Sequence, residues 1–422
     1  MLADFLIHNT SEVLTCAGPA PRRGAAQADA GALARGVVAA SNGTIVFVGP
    51  EDDWSRRGAL TPDATVLDAQ SGALLPGFVD PHTHVVFAGD RRDELRRRLS
   101  GATYRDIAAE GGGIIRTVCA TREATETQLA DETRNRLDEM LSCGTTTCEA
   151  KSGYGLTTES ELKILNVMAR LAREHPIELV PTFMGAHELP PEFRDSRRAY
   201  VDLLIGEMIP EVRSRRAAEW CDVFCETDVF TPDESREILN AARRAGLKLR
   251  IHADELGPSG GSGVAAELPT RSADHLIFIG ETDAAELARA GVVATLLPIA
   301  SFYLKIGRFA PARMLIDHGV PVALATDINP GGGFSPSMPF AMALGCFGMG
   351  LTLEEALVGG TINAAYSIDR HARIGSLEVG KQMDAVVVAG PAIDLIRVGA
   401  DTVRAVIKKG RVVIDHACDN QA

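Results

Sequence analysis

The chain has 422 residues, 45% of them hydrophobic and 23% charged, with a net charge of −13. That balance is globular, and the length fits one large barrel plus an appendage better than a single average domain. So acidic a chain argues against nucleic acid or an anionic membrane surface as its main partner; it admits a small anionic substrate only where local cations receive it.

Residues 1–73 read as short strands and turns. Val37–Ala40 and Thr44–Gly49 flank Asn42-Gly43, the strongest short hairpin signal. From 74 onward, apolar strands alternate with amphipathic helices. Strands are expected near 74–80, 144–150, 177–183, 221–226, 247–252, 270–275, 291–297 and 320–326, with helical patterns such as Glu159 to Glu174 and Asp233 to Ala245 between them. The stretch 270–275 carries the weakest apolar signal. Eight β-then-α units predict an α/β fold, a (β/α)8 TIM-like barrel. Beyond 373, Asp384–Val388 and Val403–Ile407 are followed by Lys409-Gly410 and Arg411–Ile414. The two chain ends are expected to pair into one small β-sandwich domain, 1–73 plus 374–422, beside a catalytic barrel over 74–373.

The eight cysteines are scattered and form no Cys-x-x-Cys pair, which reads as a reduced protein without a disulfide framework. The first residues carry no basic-then-apolar leader, and no apolar run is long enough to span a bilayer. The expectation is a cytoplasmic protein.

The most informative stretch is Leu75-Pro76-Gly77-Phe78-Val79-Asp80-Pro81-His82-Thr83-His84. An apolar strand ends in two histidines spaced i, i+2, and residues two apart in an extended strand share a face. Two imidazoles on one face can hold one divalent metal. A metal with an open coordination position activates water near neutral pH, so the residues predict a metal-dependent hydrolase.

In such a barrel the chemistry sits at the C-terminal ends of the strands, and the candidate polar residues fall there. Glu149 and Lys151 end the second strand and Tyr154 follows. His187 follows the third, Glu226 ends the fourth, and His252 ends the fifth with Asp254 and Glu255 just after it. His275 ends the sixth and Asp327 the eighth, in Asp327-Ile328-Asn329-Pro330-Gly331-Gly332. Three imidazoles and a carboxylate, His82, His84, His252 and Asp327, suit zinc or iron better than magnesium. A rival role exists for Asp327, as a turn residue before Asn-Pro-Gly-Gly. Glu255 reads equally as a proton carrier, a substrate contact, or a helix-start carboxylate. His275 is placed to orient water and share its proton.

On the fifth strand, Lys248, Arg250 and His252 share one face. If His252 points inward so do the two cations, and a charged barrel layer needs partners that the sequence does not name. Arg91 lies shortly after the histidine pair. Its neighbours Arg92, Arg96, Arg97 and Arg98 read as a solvated helix face, but Arg91 itself is placed to clamp a substrate carboxylate. Gly111-Gly112-Gly113 and Gly331-Gly332-Gly333 lack phosphate-loop spacing and read as flexible or close-approach loops.

With these residues in view, the chain resembles the metal-dependent amidohydrolase superfamily. The segments PHTHVVFAGDRRDEL, EGGGIIRTVCATREAT, KSGYGL, MGAHELP, HADEL, SADHL and ATDINPGG carry a narrower resemblance within it. That resemblance implies hydrolysis of the cyclic amide of 4-imidazolone-5-propanoate to N-formimidoyl-L-glutamate, a step of histidine degradation. It implies one zinc or iron, Zn(2+) or Fe(3+)/Fe(2+), on His82, His84, His252 and Asp327. It implies substrate contacts at Arg91, Tyr154, His187, Glu255, Asn329, Gly331 and Gly332, and a homodimer. Lys151, near the place of the bridging lysine in two-metal relatives, is given a structural role. The chain departs from the pattern at Ala88, where a glycine is expected, and at Gly332, where serine or threonine is commoner.

Two rivals are a deaminase or other cyclic-amide hydrolase of the same superfamily, and a non-catalytic scaffold. A neutral nucleobase needs no carboxylate clamp, and a scaffold needs no ligand set.

Overall fold

Eight parallel strands in chain order make the central sheet: Phe78–Asp80, Thr145–Lys151, Glu178–Ala186, Trp220–Cys225, Lys248–Ala253, Thr270–His275, Val293–Leu296 and Val322–Leu324. The computed structural model describes residues 1–102, 106–107 and 111–416. Helices separate most of the strands, as a (β/α)8 barrel requires. The helix Thr158–Glu174 is started by Thr157, whose side chain accepts from the Ser160 N–H, and it buries Leu162, Leu165 and Met168 on one face. The helix Pro232–Arg244 opens with a reciprocal capping box between Thr231 and Glu234 and buries Ile238, Leu239 and Ala242, so the local signals and the apolar stripe agree.

The sixth strand forms despite its polar sequence, because its polar side chains are paired inside the barrel. Ser272 shares a 2.7 Å hydroxyl contact with Thr295, and Asp274 accepts from Arg250. The ring closes through the segments that follow the first and last strands. Asp327 N–H donates to the His82 carbonyl at 3.1 Å, and His84 N–H to that of Ile328 at 3.0 Å. The seam of the barrel is therefore the place where His82, His84 and Asp327 meet.

The chain ends build two further sheets. One orders Thr44–Pro50, Gly36–Ser41, Leu2–His8 and Ala59–Asp68; the other orders Arg411–Asp415, Val403–Lys408, Ala385–Val388, Leu74–Pro76, Glu12–Leu14 and Ala32–Ala34. Phe5, Ile7, Val38, Ile45, Leu74, Val387 and Ile407 cluster between them with almost no exposure. The hairpin turns at Asn42-Gly43 and Lys409-Gly410 place both residues at positive φ, the backbone that matches strand twist in a two-residue loop.

The expected first barrel strand, 74–80, divides in two. Leu74–Pro76 pairs antiparallel with Ala385–Val388 in the terminal sheet, and the barrel strand starts only at Phe78. The crossing falls at Gly77, where an added Cβ would stand 2.6 Å from the Thr146 side chain. The chain passes too close to the second strand there for a larger residue. Among the described residues, no helix is long and apolar enough to cross a membrane.

Candidate active site

The histidines converge at the C-terminal mouth of the barrel. His82 and His84 lie just past the first strand and turn Nε2 toward Asp327, with separations to its Oδ1 of 3.6 and 3.7 Å. His252 ends the fifth strand with its Nε2 3.4 Å from that of His84. His275, at the end of the sixth, packs its ring 5.1 Å from His252 and 5.4 Å from His82. Asp327 and His275 adopt positive φ, +53° and +74°. Non-glycine residues hold that backbone only where the surroundings enforce it. At Asp327 the enforcement is close packing, since an added Cβ on Gly333 would fall 1.7 Å from the Asp327 carbonyl oxygen.

Beneath the histidines lies a layer of paired charges. His82 Nδ1–H donates to Asp274 at 2.7 Å, and His252 Nδ1–H to Asp222 at 3.0 Å. Each of these imidazoles is thereby fixed with its Nε2 lone pair aimed at the site, the arrangement that orients a metal-ligating histidine. Arg250 answers the question posed by its strand. It is fully buried and donates to Asp274 at 3.0 Å and to the carbonyls of Pro81 and Ser367. Lys248 does not join this layer; it is half exposed and pairs with Asp369 at 2.8 Å. Asp222 and Asp274 escape a reading that looks only at strand ends. The available signal was a lone carboxylate inside the apolar strand Trp220–Cys225, which had to find a buried partner.

The residues fit a metal. His82 Nε2 and Asp327 Oδ1 are buried and have no hydrogen-bond partner among the described residues. His82, His84 and Asp327 bring ligand atoms within 4.8 Å of one another, as do His82, His252 and His275. Burial, then the neighbouring cations and imidazoles, holds His82 and His84 well below the ordinary histidine range, so both rings are neutral and able to ligate. Burial pushes the Asp327 carboxyl well above its ordinary range, and the nearby Glu255 adds to this; a bound cation reverses that preference.

A small cavity opens above the cluster. His84, His252, His275 and Asp327 form one wall, and Arg91, Tyr154, His187, Glu255, Asn329, Gly331 and Gly332 form much of the rest, together with Ile114, Phe224 and Leu304. His82 lies below the lining. Arg91 is 3% exposed and is gripped by Glu94 through Nε at 2.8 Å and a second nitrogen at 2.7 Å. An added Cβ on Gly331 would come 2.3 Å from the Arg91 guanidinium, so the glycine loop is in close approach to that cation. Asn329 spends its carboxamide on its own loop, donating to the Asp327 carbonyl and accepting from Gly331 and Gly332 N–H. It shapes the loop carrying Asp327.

His187 donates from Nδ1 to the Gly153 carbonyl at 3.0 Å and stacks on His84 with ring centroids 4.7 Å apart. Burial lowers it to about 3, so it is neutral. Glu255 Oε2 stands 3.5 Å from His275 Nε2. Burial, assisted by the charge of Glu226, raises its carboxyl to about 8. Glu226 in turn accepts from the Glu255 and Leu256 N–H groups. The arrangement offers neutral ligands, a protonated acid and a cation around one small space.

The Amidohydrolase family model matches residues 73–413, and the chain belongs to that family. Relatives named imidazolonepropionase narrow the assignment. The one from Symbiobacterium thermophilum is 48% identical over 415 residues, covering 98% of this chain and 97% of its own. That from Alkaliphilus metalliredigens is 46% identical over 421 residues, covering 98% and 99%. Within the amidohydrolases, the chain is therefore a member of the imidazolonepropionase group. The fold has wider kin: a zinc-bound adenosine deaminase from Xanthomonas campestris superposes with a TM-score of 0.68 at 20% identity, covering 99% of this chain and 96% of that one.

Proposed function

We propose that the chain hydrolyses 4-imidazolone-5-propanoate to N-formimidoyl-L-glutamate, using one metal ion held by His82, His84, His252 and Asp327. The observation that carries this reading is the shared cavity. A buried arginine and a convergent set of imidazoles with a carboxylate face one small cavity. Zinc and iron both suit that ligand set. When bound, the metal supplies Lewis acidity toward water and toward a carbonyl oxygen.

The chain's own residues do the rest. Arg91, held in orientation by Glu94, receives the propanoate as a charge-assisted pair. Tyr154 and His187 give neutral polar contacts to the ring. Water adds its oxygen to the ring carbonyl carbon, and Asp327 with His275 takes the proton released. The carbon–nitrogen bond of the ring then breaks. The departing nitrogen collects a proton from Glu255, which burial keeps protonated at neutral pH. Glu255, 3.5 Å from His275, is placed to regain its proton there. The substrate is small and anionic, nucleic acid and membrane play no part, and a cytoplasmic homodimer is the assembly we expect.

The test is the ultraviolet loss of freshly generated substrate on adding purified, metal-quantified protein. Loss above the spontaneous rate, abolished by chelation and restored by zinc or iron, is the expected result. No acceleration with one metal per chain would move the search to deaminase substrates and other cyclic amides.

A further inference from the structure

Lys151 ends the second barrel strand and is fully buried, outside the lining of the cavity. Its ammonium instead touches the supports of the histidines. Nζ donates to Glu149 Oε1 at 2.9 Å and to Asp222 Oδ2 at 2.8 Å, and lies 3.8 Å from Asp274 Oδ2. Each of these three carboxylates leads to the metal cluster. The other oxygen of Asp222 accepts from His252 Nδ1. Asp274 Oδ2 accepts from His82 Nδ1. Glu149 Oε2 accepts from the N–H of Thr83, the residue between His82 and His84, and the Lys151 N–H donates to the Thr83 carbonyl. Among the described residues Arg250 brings a second cation to the group, and of these carboxylates it hydrogen-bonds Asp274.

We propose that Lys151 is a positioning residue: one buried ammonium ties together the carboxylates that aim His82 and His252, and so sets the affinity of the centre for its metal. The inference rests on the metal reading above. Without the ammonium, Asp222 loses the partner of one oxygen and Glu149 loses its ion pair. Desolvated like charges then repel, and the carboxylates turn away from the Nδ1 atoms they hold. Asp222, Asp274 and His252 also offer three ligand atoms within 4.8 Å of one another. The ammonium lies against both carboxylates and keeps a second cation from gathering there.

The experiment is a chelator-competition titration of zinc on the metal-free full chain, for the native protein, Lys151→Met and Lys151→Arg. Native protein should bind one zinc tightly. Lys151→Met should bind its first zinc about 10–100-fold more weakly, the usual cost of losing an outer support of a metal ligand. Activity should recover in excess zinc, and KM should stay within about twofold of native. Lys151→Arg keeps the charge but not the compact three-way reach, and should fall between the two. Native-like zinc affinity in either folded variant would overturn the proposal, as would a raised KM with unchanged zinc affinity. If Lys151→Met does not fold, Lys151→Arg decides alone. Failure of the native chain to bind zinc or iron would instead sink the metal reading, which separates the two.

Discussion

Two adjacent layers of the barrel interior are equally buried and differ in one respect. In the lower layer, Lys151, Arg250, Glu149, Asp222 and Asp274 are joined to one another by ion pairs. In the upper layer, His82 Nε2, His84 Nδ1, His275 Nδ1 and Asp327 Oδ1 have no hydrogen-bond partner among the described residues, against Arg250 Nε alone in the lower layer. Buried polar atoms are nearly always satisfied, so the contrast separates a layer built to hold from one built to receive. Burial alone would raise Asp222, but its His252 imidazole partner and the Lys151 ammonium hold it well below its ordinary value. Burial, joined by the charge of Glu255, raises Asp327 well above its ordinary value, and Asn329 and the Lys151 ammonium only partly offset this. The same residue type is tuned in opposite directions in the two layers.

The sharpest break in this contrast is Asp327→Asn. On the proposed reading it removes a metal ligand and a proton acceptor together, and turnover should fall by about 10^3-fold or more; near-normal activity would return Asp327 to a turn role. In the lower layer, Arg250→Met should act on stability first. Breaking a buried pair costs about 3–5 kcal/mol, read as a lowered unfolding midpoint in denaturant. An unchanged midpoint would show that the layer does not depend on its charge pairing. At the cavity wall, Arg91→Ala should raise KM by about 10–100-fold, corresponding to a charged hydrogen bond of about 1.5–3 kcal/mol, with metal content unchanged. Equal loss of metal would remove Arg91 from the clamp. A further effect, on the pH profile, concerns Glu255. Its proton is held until about pH 8, so the rate should be level below that and decline on the alkaline side, about tenfold per unit. Glu255→Gln, which has no proton to give the leaving nitrogen, should lower turnover by about 10^2–10^4-fold, and its residual rate should lack that alkaline limb; if the limb persists in it, another group owns the titration.

How much of this was legible in the sequence follows from what kind of signal each part leaves. The barrel was, because eight apolar runs separated by amphipathic helices have few other ways to pack. The histidine pair and the strand-end polar residues were, because the fold gathers those ends at one mouth. The fate of Leu74–Pro76 was not. An apolar tripeptide looks alike in either sheet, and its pairing with Ala385–Val388 and Glu12–Leu14 decides which one takes it. The lower layer was half legible. Arg250 announced a need for partners, but Asp274 sits in a strand with little apolar signal, and Asp222 sits two residues into its own. Pairing across strands distant in sequence leaves no local pattern. The role of Asn329 in holding its own loop was hidden for the same reason.

The strand at Leu74–Pro76 carries a consequence for how the protein is made. It feeds straight into the strand bearing His82 and His84, yet its neighbour in the sheet, Ala385–Val388, is synthesised more than three hundred residues later. Lys408, from the last hairpin, reaches the second barrel strand at Thr147. During synthesis on the ribosome, the edge of Leu74–Pro76 stays open until nearly the whole chain has emerged. Contacts so far apart in sequence form slowly, and an unpaired strand edge invites aggregation in the interval. A nascent chain stalled before residue 385 would therefore be a substrate for chaperones.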